Sequence, residues 1–149
     1  MLHVESFTFN PFSQNTYLIY NDEKEAFLID PGNMPDGETK VLGEFIKSKD
    51  LKIQNILLTH AHIDHIIGLQ WAYDEFKVPV LLHFNEIEIL EQAPFTAKKY
   101  GFFFPAFTGE TQLIKEGDEI NLGSDVFQIF DVPGHSPGSV AFYNKENEF

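Results

Sequence analysis

A chain of 149 residues, 43% hydrophobic and 22% charged, has enough apolar material for one sizeable core, and no apolar run approaches the ~20 residues of a membrane span. A net charge of −13, with lysine as the only strong base and no arginine, repels phosphodiester backbones and offers no planar clamp for phosphate or carboxylate, which argues against nucleic acid as a partner. There is no cysteine, so disulfides and thiolate ligands are excluded, and Met1 to Glu5 lacks the basic start and apolar stretch of a signal peptide, which leaves a cytoplasmic location as the expectation.

The first thirty residues predict a meander of short strands at 4–9, 16–20 and 26–29, with Asn21-Asp22 turning between the last two and Asp30-Pro31-Gly32 stopping the third. Residues 37–49 predict a helix, with Val41, Leu42, Phe45 and Ile46 on one face and Asp36 as its N-cap. A strand buried on both faces follows at 53–59. A helix over 65–76 carries the stripe Ile66, Leu69, Tyr73 and Phe76, and a further buried strand follows at 80–82. Asn85-Glu86-Ile87-Glu88 has the form of a capping box opening a helix to about Gln92, whose acids Glu86, Glu88 and Glu91 read as a solvent face.

Residues 94–111 mix glycines and prolines with six aromatics, as part helix and part loop. Phe102, Phe103, Phe104, Phe107 and Tyr100 suit a pocket wall over an acyl group and core packing equally well. Strands resume at 119–122, 126–132 and 139–143. A hairpin turn near Asn144-Lys145 leads to a returning strand at 148–149, an unusual place to stop, which predicts a fragment of a longer chain. The order is strands, then alternating helix and strand, then strands, with no repeat or linker, so residues 1–149 read as one α/β (α+β) domain.

Chemistry concentrates in THAHIDHIIG, residues 59–68, where His60, His62, Asp64 and His65 follow a buried strand and precede a helix. His60 and His62 are two apart and point to one side of an extended segment. Imidazole and carboxylate are the ligand types of zinc, iron or manganese, and the end of a buried strand is where open α/β sheets place ligands. Gly68 reads as allowing the next helix to pack closely on the sheet. Neighbouring side chains on one loop diverge, so a second ligand group must come from elsewhere. The best source is VPGHSPGS, residues 132–139, where glycines and prolines hold His135 in a rigid loop at a strand end. His3 and His83 stand outside any motif and read as structural histidines at strands. Lys98 and Lys99 read as solvated surface.

THAHIDHIIG together with DVPGHSPGS, and LIDPG upstream, resembles the metallo-β-lactamase superfamily, and within it the glyoxalase II-like (hydroxyacylglutathione hydrolase-like) enzymes. The resemblance covers nearly all of the chain. It implies a four-layer αβ/βα sandwich, incomplete here in its second half. It also implies a metal-dependent hydrolase using one or two zinc ions, with iron or manganese possible, that cleaves an acyl thioester with a metal-activated water. Residue by residue, His60, His62 and His135 match the first metal site. Asp64 and His65 match part of the second, with Asp64 as the catalytic carboxylate. Asp30 matches the acid behind the ligands, where a carboxylate can fix a histidine tautomer.

The family's bridging aspartate and last histidine come after His135, whereas the residues that follow His135 here contain neither. If the missing strands and helices leave apolar surface uncovered, at about 25 cal/mol per Å², the chain is expected to self-associate or to pair its edge at 140–143 with another chain. Two further readings stay open. One is a mononuclear iron persulfide dioxygenase using His60, His135 and the missing aspartate. The other is a metal-free, non-catalytic module of the same fold. A small-molecule substrate is expected, with no membrane or nucleic-acid partner.

Overall fold

The computed structural model describes residues 1–35 and 37–149; Asp36, the expected N-cap, lies outside the described residues. Strands β1 (Leu2–Phe9) and β2 (Gln14–Asn21) form a hairpin paired from Leu2↔Asn21 to Phe9↔Gln14, and β3 (Glu25–Ile29) adds antiparallel to β2. Asn21 makes the turn between β2 and β3: its carbonyl accepts from Lys24 N and its side-chain oxygen from Glu25 N. The chain then alternates α1 (Gly37–Ser48), β4 (Lys52–Leu57), α2 (Leu69–Phe76), β5 (Val80–His83), α3 (Ile87–Lys99) and β6 (Thr111–Ile114). From β3 to β6 the strands run parallel, completing a six-stranded sheet in chain order. Strands β7 (Glu119–Leu122), β8 (Asp125–Asp131) and β9 (Val140–Asn144) form a separate antiparallel sheet.

Strand alternation divides the core in two. Ala26, Leu28, Ile56, Leu58, Val80 and Leu82 face the helices and pack with Leu42 and Ile46 of α1, Leu69 of α2 and Leu90 of α3. Phe27, Ile29, Leu57 and Leu81 face the other way, onto Leu122, Phe127 and Ile129 of the small sheet. Phe27 and Phe127 meet edge to face with centroids 5.6 Å apart, both fully buried. Burying each such side chain contributes roughly 1.5–3 kcal/mol. A mixed α/β fold results, with a helix layer, a large sheet and a small sheet stacked in that order. Both faces of β4 are covered at its carboxyl end, which is why Ile56, Leu57 and Leu58 read as an unbroken apolar run.

Three elements differ from expectation. Helix α3 continues through Pro94 to Lys99, because Leu90, Ala93 and Ala97 carry its buried face past the proline. Strand β6 carries no apolar pattern, since only Ile114 of its four residues is buried, and pairing with β5 holds it. The helix expected from His65 is two pieces, a single 3-10 turn at Ile63–His65 and α2 from Leu69, because Ile66 leaves helical backbone with φ −131°. At the far end Asn144 and Phe149 exchange both backbone hydrogen bonds, as the hairpin reading expects. Among the described residues no helix is long and apolar enough to cross a membrane.

Candidate metal centre

Strands β3, β4 and β5 end side by side. Asp30 N donates to Leu57 O at 3.0 Å, and Leu58 N to Leu81 O at 2.9 Å. The loop before β9 joins them, with Val140 N donating to Thr59 O at 3.0 Å. Both histidine segments therefore open into one crevice at the carboxyl ends of the strands, where α/β sheets place ligands.

Here His60, His62 and His135 come together. One ring nitrogen from each lies within 4.8 Å of the others, and His62 Nδ1 is 3.0 Å from His135 Nε2 across 73 residues of chain. Two nitrogens bound tetrahedrally at 2.0–2.1 Å to one ion sit about 3.3 Å apart, so the spacing suits a metal. His60 is buried and its Nε2 has no hydrogen-bond partner. A buried polar atom without a partner is costly in a native protein unless something coordinates it. The donor set and the orphaned nitrogen both fit a divalent cation.

A relay behind the ring explains which nitrogen is free. The Thr59 hydroxyl donates to Asp30 Oδ2 at 2.6 Å, so its oxygen is left to accept from His60 Nδ1 at 3.0 Å. That assigns the proton to Nδ1 and turns the Nε2 lone pair into the site. Asp30 also accepts from Thr59 N at 2.8 Å and from His65 Nδ1 at 2.9 Å. His65 Nε2 is 3.3 Å from Asp64 Oδ2, so this ring lies between two carboxylates. A second set, Asp30, His60 and His65, also brings its ligand atoms within 4.8 Å of one another; Asp64 approaches it only through His65.

These environments divide the protons. Burial pushes His60 down to about 4, helped by the positive charge on His65. Burial and the neighbouring His135 also lower His62. For His65 burial pulls downward, but the hydrogen bonds to Asp30 and Asp64 outweigh it and raise the group to about 9. Burial acts to raise Asp64, and its bond to His65 reverses this, holding it below the usual carboxylate range. At pH 7 His60 and His62 are thus free bases, and one proton sits on His65.

LIDPG contributes more than a strand stop. A Cβ at Gly32 would lie 2.3 Å from the Asp64 carbonyl oxygen and 2.1 Å from Gln14 Oε1, so only glycine lets the Asp64 turn seat against this loop. The Asn10 amide straps the two together by donating to Gly32 O and Asp64 O, each at 2.9 Å. The reading of Gly68 needs correcting. It makes room for Asn33, whose Oδ1 would lie 2.1 Å from a Cβ there, rather than for the sheet.

Glu86 is the second correction. Expected on a solvent face with Glu88 and Glu91, it is fully buried while the other two are exposed. The signal was available, because Glu86 falls at helical spacing on the buried stripe of Leu90, Ala93 and Ala97. His3 and His83 are structural, as expected: His3 stacks on Tyr20 and bonds Asp22, and His83 Nδ1 accepts from Asn85 N. The aromatic segment divides, with Phe104 buried in the core and Phe103 facing outward. Beside His62 a cleft of about 260 Å³ is lined by Ile63, Ile89, Gln92, Ala93 and Thr96.

Residues 9–149 match the family model described as the Metallo-beta-lactamase superfamily. The probable metallo-hydrolase YqgX of Bacillus subtilis is 35% identical over 137 residues, covering 91% of this chain and 63% of that protein. The hydroxyacylglutathione hydrolase GloC of Haemophilus influenzae is 32% identical over 149 residues, covering 99% of this chain and 68% of that one. Among solved structures, TTHA1623 in a di-iron-bound form superposes with a TM-score of 0.81 at 35% identity, over 96% of this chain and 68% of that one. The chain spans 63% and 68% of the lengths of the two curated relatives.

Proposed function

Since this chain belongs to the metallo-β-lactamase superfamily, we propose that its 149 residues form one unit carrying the metal centre of a glyoxalase II-like hydrolase that acts on an acyl thioester. The observation that carries this reading is the buried, unpartnered His60 Nε2, with His62 and His135 converging on the same point. Those three histidines hold the first cation, and His65 with Asp64 contributes to a second. Zinc suits the histidine set, and iron or manganese suits it when carboxylates join. When bound, such an ion polarises the substrate carbonyl and lowers the pKa of a water to about 7.

The chain's own residues do the rest. Asp30 and Thr59 hold the His60 tautomer, and Asp30 also orients His65 through Nδ1. Asp64 is the carboxylate that accepts a proton from water in the crevice, on the oxygen that does not face His65. Its other partner, His65 Nε2, is 3.3 Å away and stabilises the charge that Asp64 carries. Ile63, Ile89 and Ala93 beside His62 offer an uncharged surface to a short acyl group.

The test is to load the protein with zinc, iron or manganese, quantify bound metal, and follow hydrolysis of a 2-hydroxyacyl thioester. His60→Ala and His135→Ala are each expected to lower bound metal and activity together. Metal binding without thioester cleavage by any loaded form would refute the substrate assignment. Oxygen uptake on a persulfide by the iron form alone would replace it with a dioxygenase. A protein that takes up no metal at neutral pH would be a non-catalytic module.

A further inference from the structure

Glu86 joins the two halves of the metal centre. Its Oε2 accepts from Ala61 N at 2.7 Å, the peptide nitrogen between His60 and His62. Its Oε1 accepts from Gly138 N at 2.7 Å and from the Ser136 hydroxyl, next to His135. The first loop follows β4 of the large sheet, and the second lies between β8 and β9 of the small one. The carboxylate is fully buried, and no lysine or histidine forms an ion pair with it among the described residues. Three donors from two loops satisfy it instead, which is how a buried carboxylate is retained without a cation.

We infer that Glu86 is a positioning residue whose carboxylate fixes the His60–His62 pair against His135 and so sets the affinity and geometry of the metal centre. The inference rests on the reading that these three histidines hold a cation. Only a side chain that accepts on both oxygens can do this. The amide of a glutamine has one accepting oxygen, and its NH2 would face either Ala61 N–H or the Gly138 and Ser136 donors. Whichever way it turns, one loop is released. Aspartate is a methylene shorter and reaches one loop at most. The approach is tight on the far side too: a Cβ at Gly138 would lie 2.9 Å from Glu86 Cγ and 3.0 Å from Oε1.

Two measurements test this. In the metal-free protein, amide hydrogen exchange at Ala61 and Gly138 reads the clamp directly. Glu86→Gln is expected to speed exchange tenfold or more at one or both, leaving Leu57 and Phe127 unchanged. In the cobalt-titrated protein, affinity is expected to fall about 10–100-fold, the range for lost partners of metal ligands, with a change in the visible cobalt bands as His135 shifts. Leu42→Ala, in the helix core away from both loops, controls for stability: it is expected to lower the unfolding midpoint with cobalt affinity and spectrum unchanged.

Should Glu86→Gln not fold, Ser136→Ala decides, since it keeps both amide bonds and removes one donor. It is expected to weaken cobalt binding by about threefold to tenfold, the worth of one hydrogen bond. Wild-type exchange at Ala61 and Gly138 in Glu86→Gln overturns the inference, as does wild-type affinity and spectrum in that variant or in a decisive Ser136→Ala. If wild-type protein binds no cobalt while exchange in Glu86→Gln accelerates, the metal-centre reading fails and Glu86 is only a strut between sheets.

Discussion

Asp30→Asn tests the electrostatic design behind the ligands. The side chain is almost fully buried, and φ is +49°, a conformation asparagine tolerates, so the backbone should hold. What changes is hydrogen bonding. Asp30 accepts from Thr59 N, the Thr59 hydroxyl and His65 Nδ1, whereas asparagine can present only one oxygen to these three donors. If that oxygen takes Thr59 N, the NH2 opposes His65 and a charge-assisted bond worth about 1.5–3 kcal/mol is lost. Linkage gives a similar figure. Against the pull of burial, the bonds to Asp30 and Asp64 together raise His65 from 6.5 to about 9, a shift worth about 3 kcal/mol of which Asp30 supplies part. A raised base stabilises the fold fully below pH 6.5 and loses that contribution as pH rises through about 9. The stability gap between wild type and Asp30→Asn should therefore be widest near pH 6.5 and narrow by pH 9.5 to what the lost Thr59 bond is worth. Urea unfolding of metal-free protein across that range measures the gap, and the imidazole proton resonances of His65 report its titration. A gap independent of pH, or His65 still titrating near 9 in the variant, would refute the assignment of Asp30 as its partner.

Other outcomes follow from the same geometry. His60, lowered to about 4, is a free base in the fold and protonated when unfolded below pH 6.5. Its contribution is present above pH 6.5 and lost as pH falls through about 4, at a cost approaching about 3 kcal/mol; His60→Gln should flatten this part of the acid unfolding curve relative to wild type, and parallel curves would refute it. Gly68→Ala drives a Cβ to within 2.1 Å of Asn33 Oδ1 and should destabilise by about 1–3 kcal/mol, visible as a lower thermal midpoint. On the outer face of the small sheet Val126, Phe130 and Tyr143 are exposed, and self-association through it is expected in sedimentation velocity. A single species of monomer mass at high concentration would count against that.

What could be read from sequence was what is local. Ile56, Leu57 and Leu58 announce a strand covered on both faces, and His60 and His62 share a side because strand geometry repeats every two residues. The rigid loop at a strand end nominates His135 as a ligand source and the family resemblance matches it to the first site, but nothing local ties it to His62, 73 residues away. Glu86 sets two local patterns against each other, since its spacing puts it on the buried stripe of Leu90, Ala93 and Ala97. A capping-box pattern and a run of acids both point to solvent, yet donors 25, 50 and 52 residues away hold the side chain inside. Strand β6 is similar, because Thr111 and Gln112 gain their structure from pairing with Val80 and Leu81.

Glu86 and His65 together explain how a crevice rich in acids and histidines is held together. Asp30 and Asp64 face each other across His65, and two carboxylates that close would repel in a partly buried site. The proton held on His65 is the positive charge between them. Glu86 needs no such charge, because backbone amides and a serine hydroxyl satisfy it. On the ligand assignment proposed above, the division is functional. At neutral pH a cation reaching His60 and His62 meets free bases and displaces no proton from them, whereas one recruited to His65 must displace the proton that holds Asp30 and Asp64 together. The first site is therefore built by hydrogen bonds that survive loading. The second is built by a charge that loading replaces, which gives the two sites different pH dependences within one crevice.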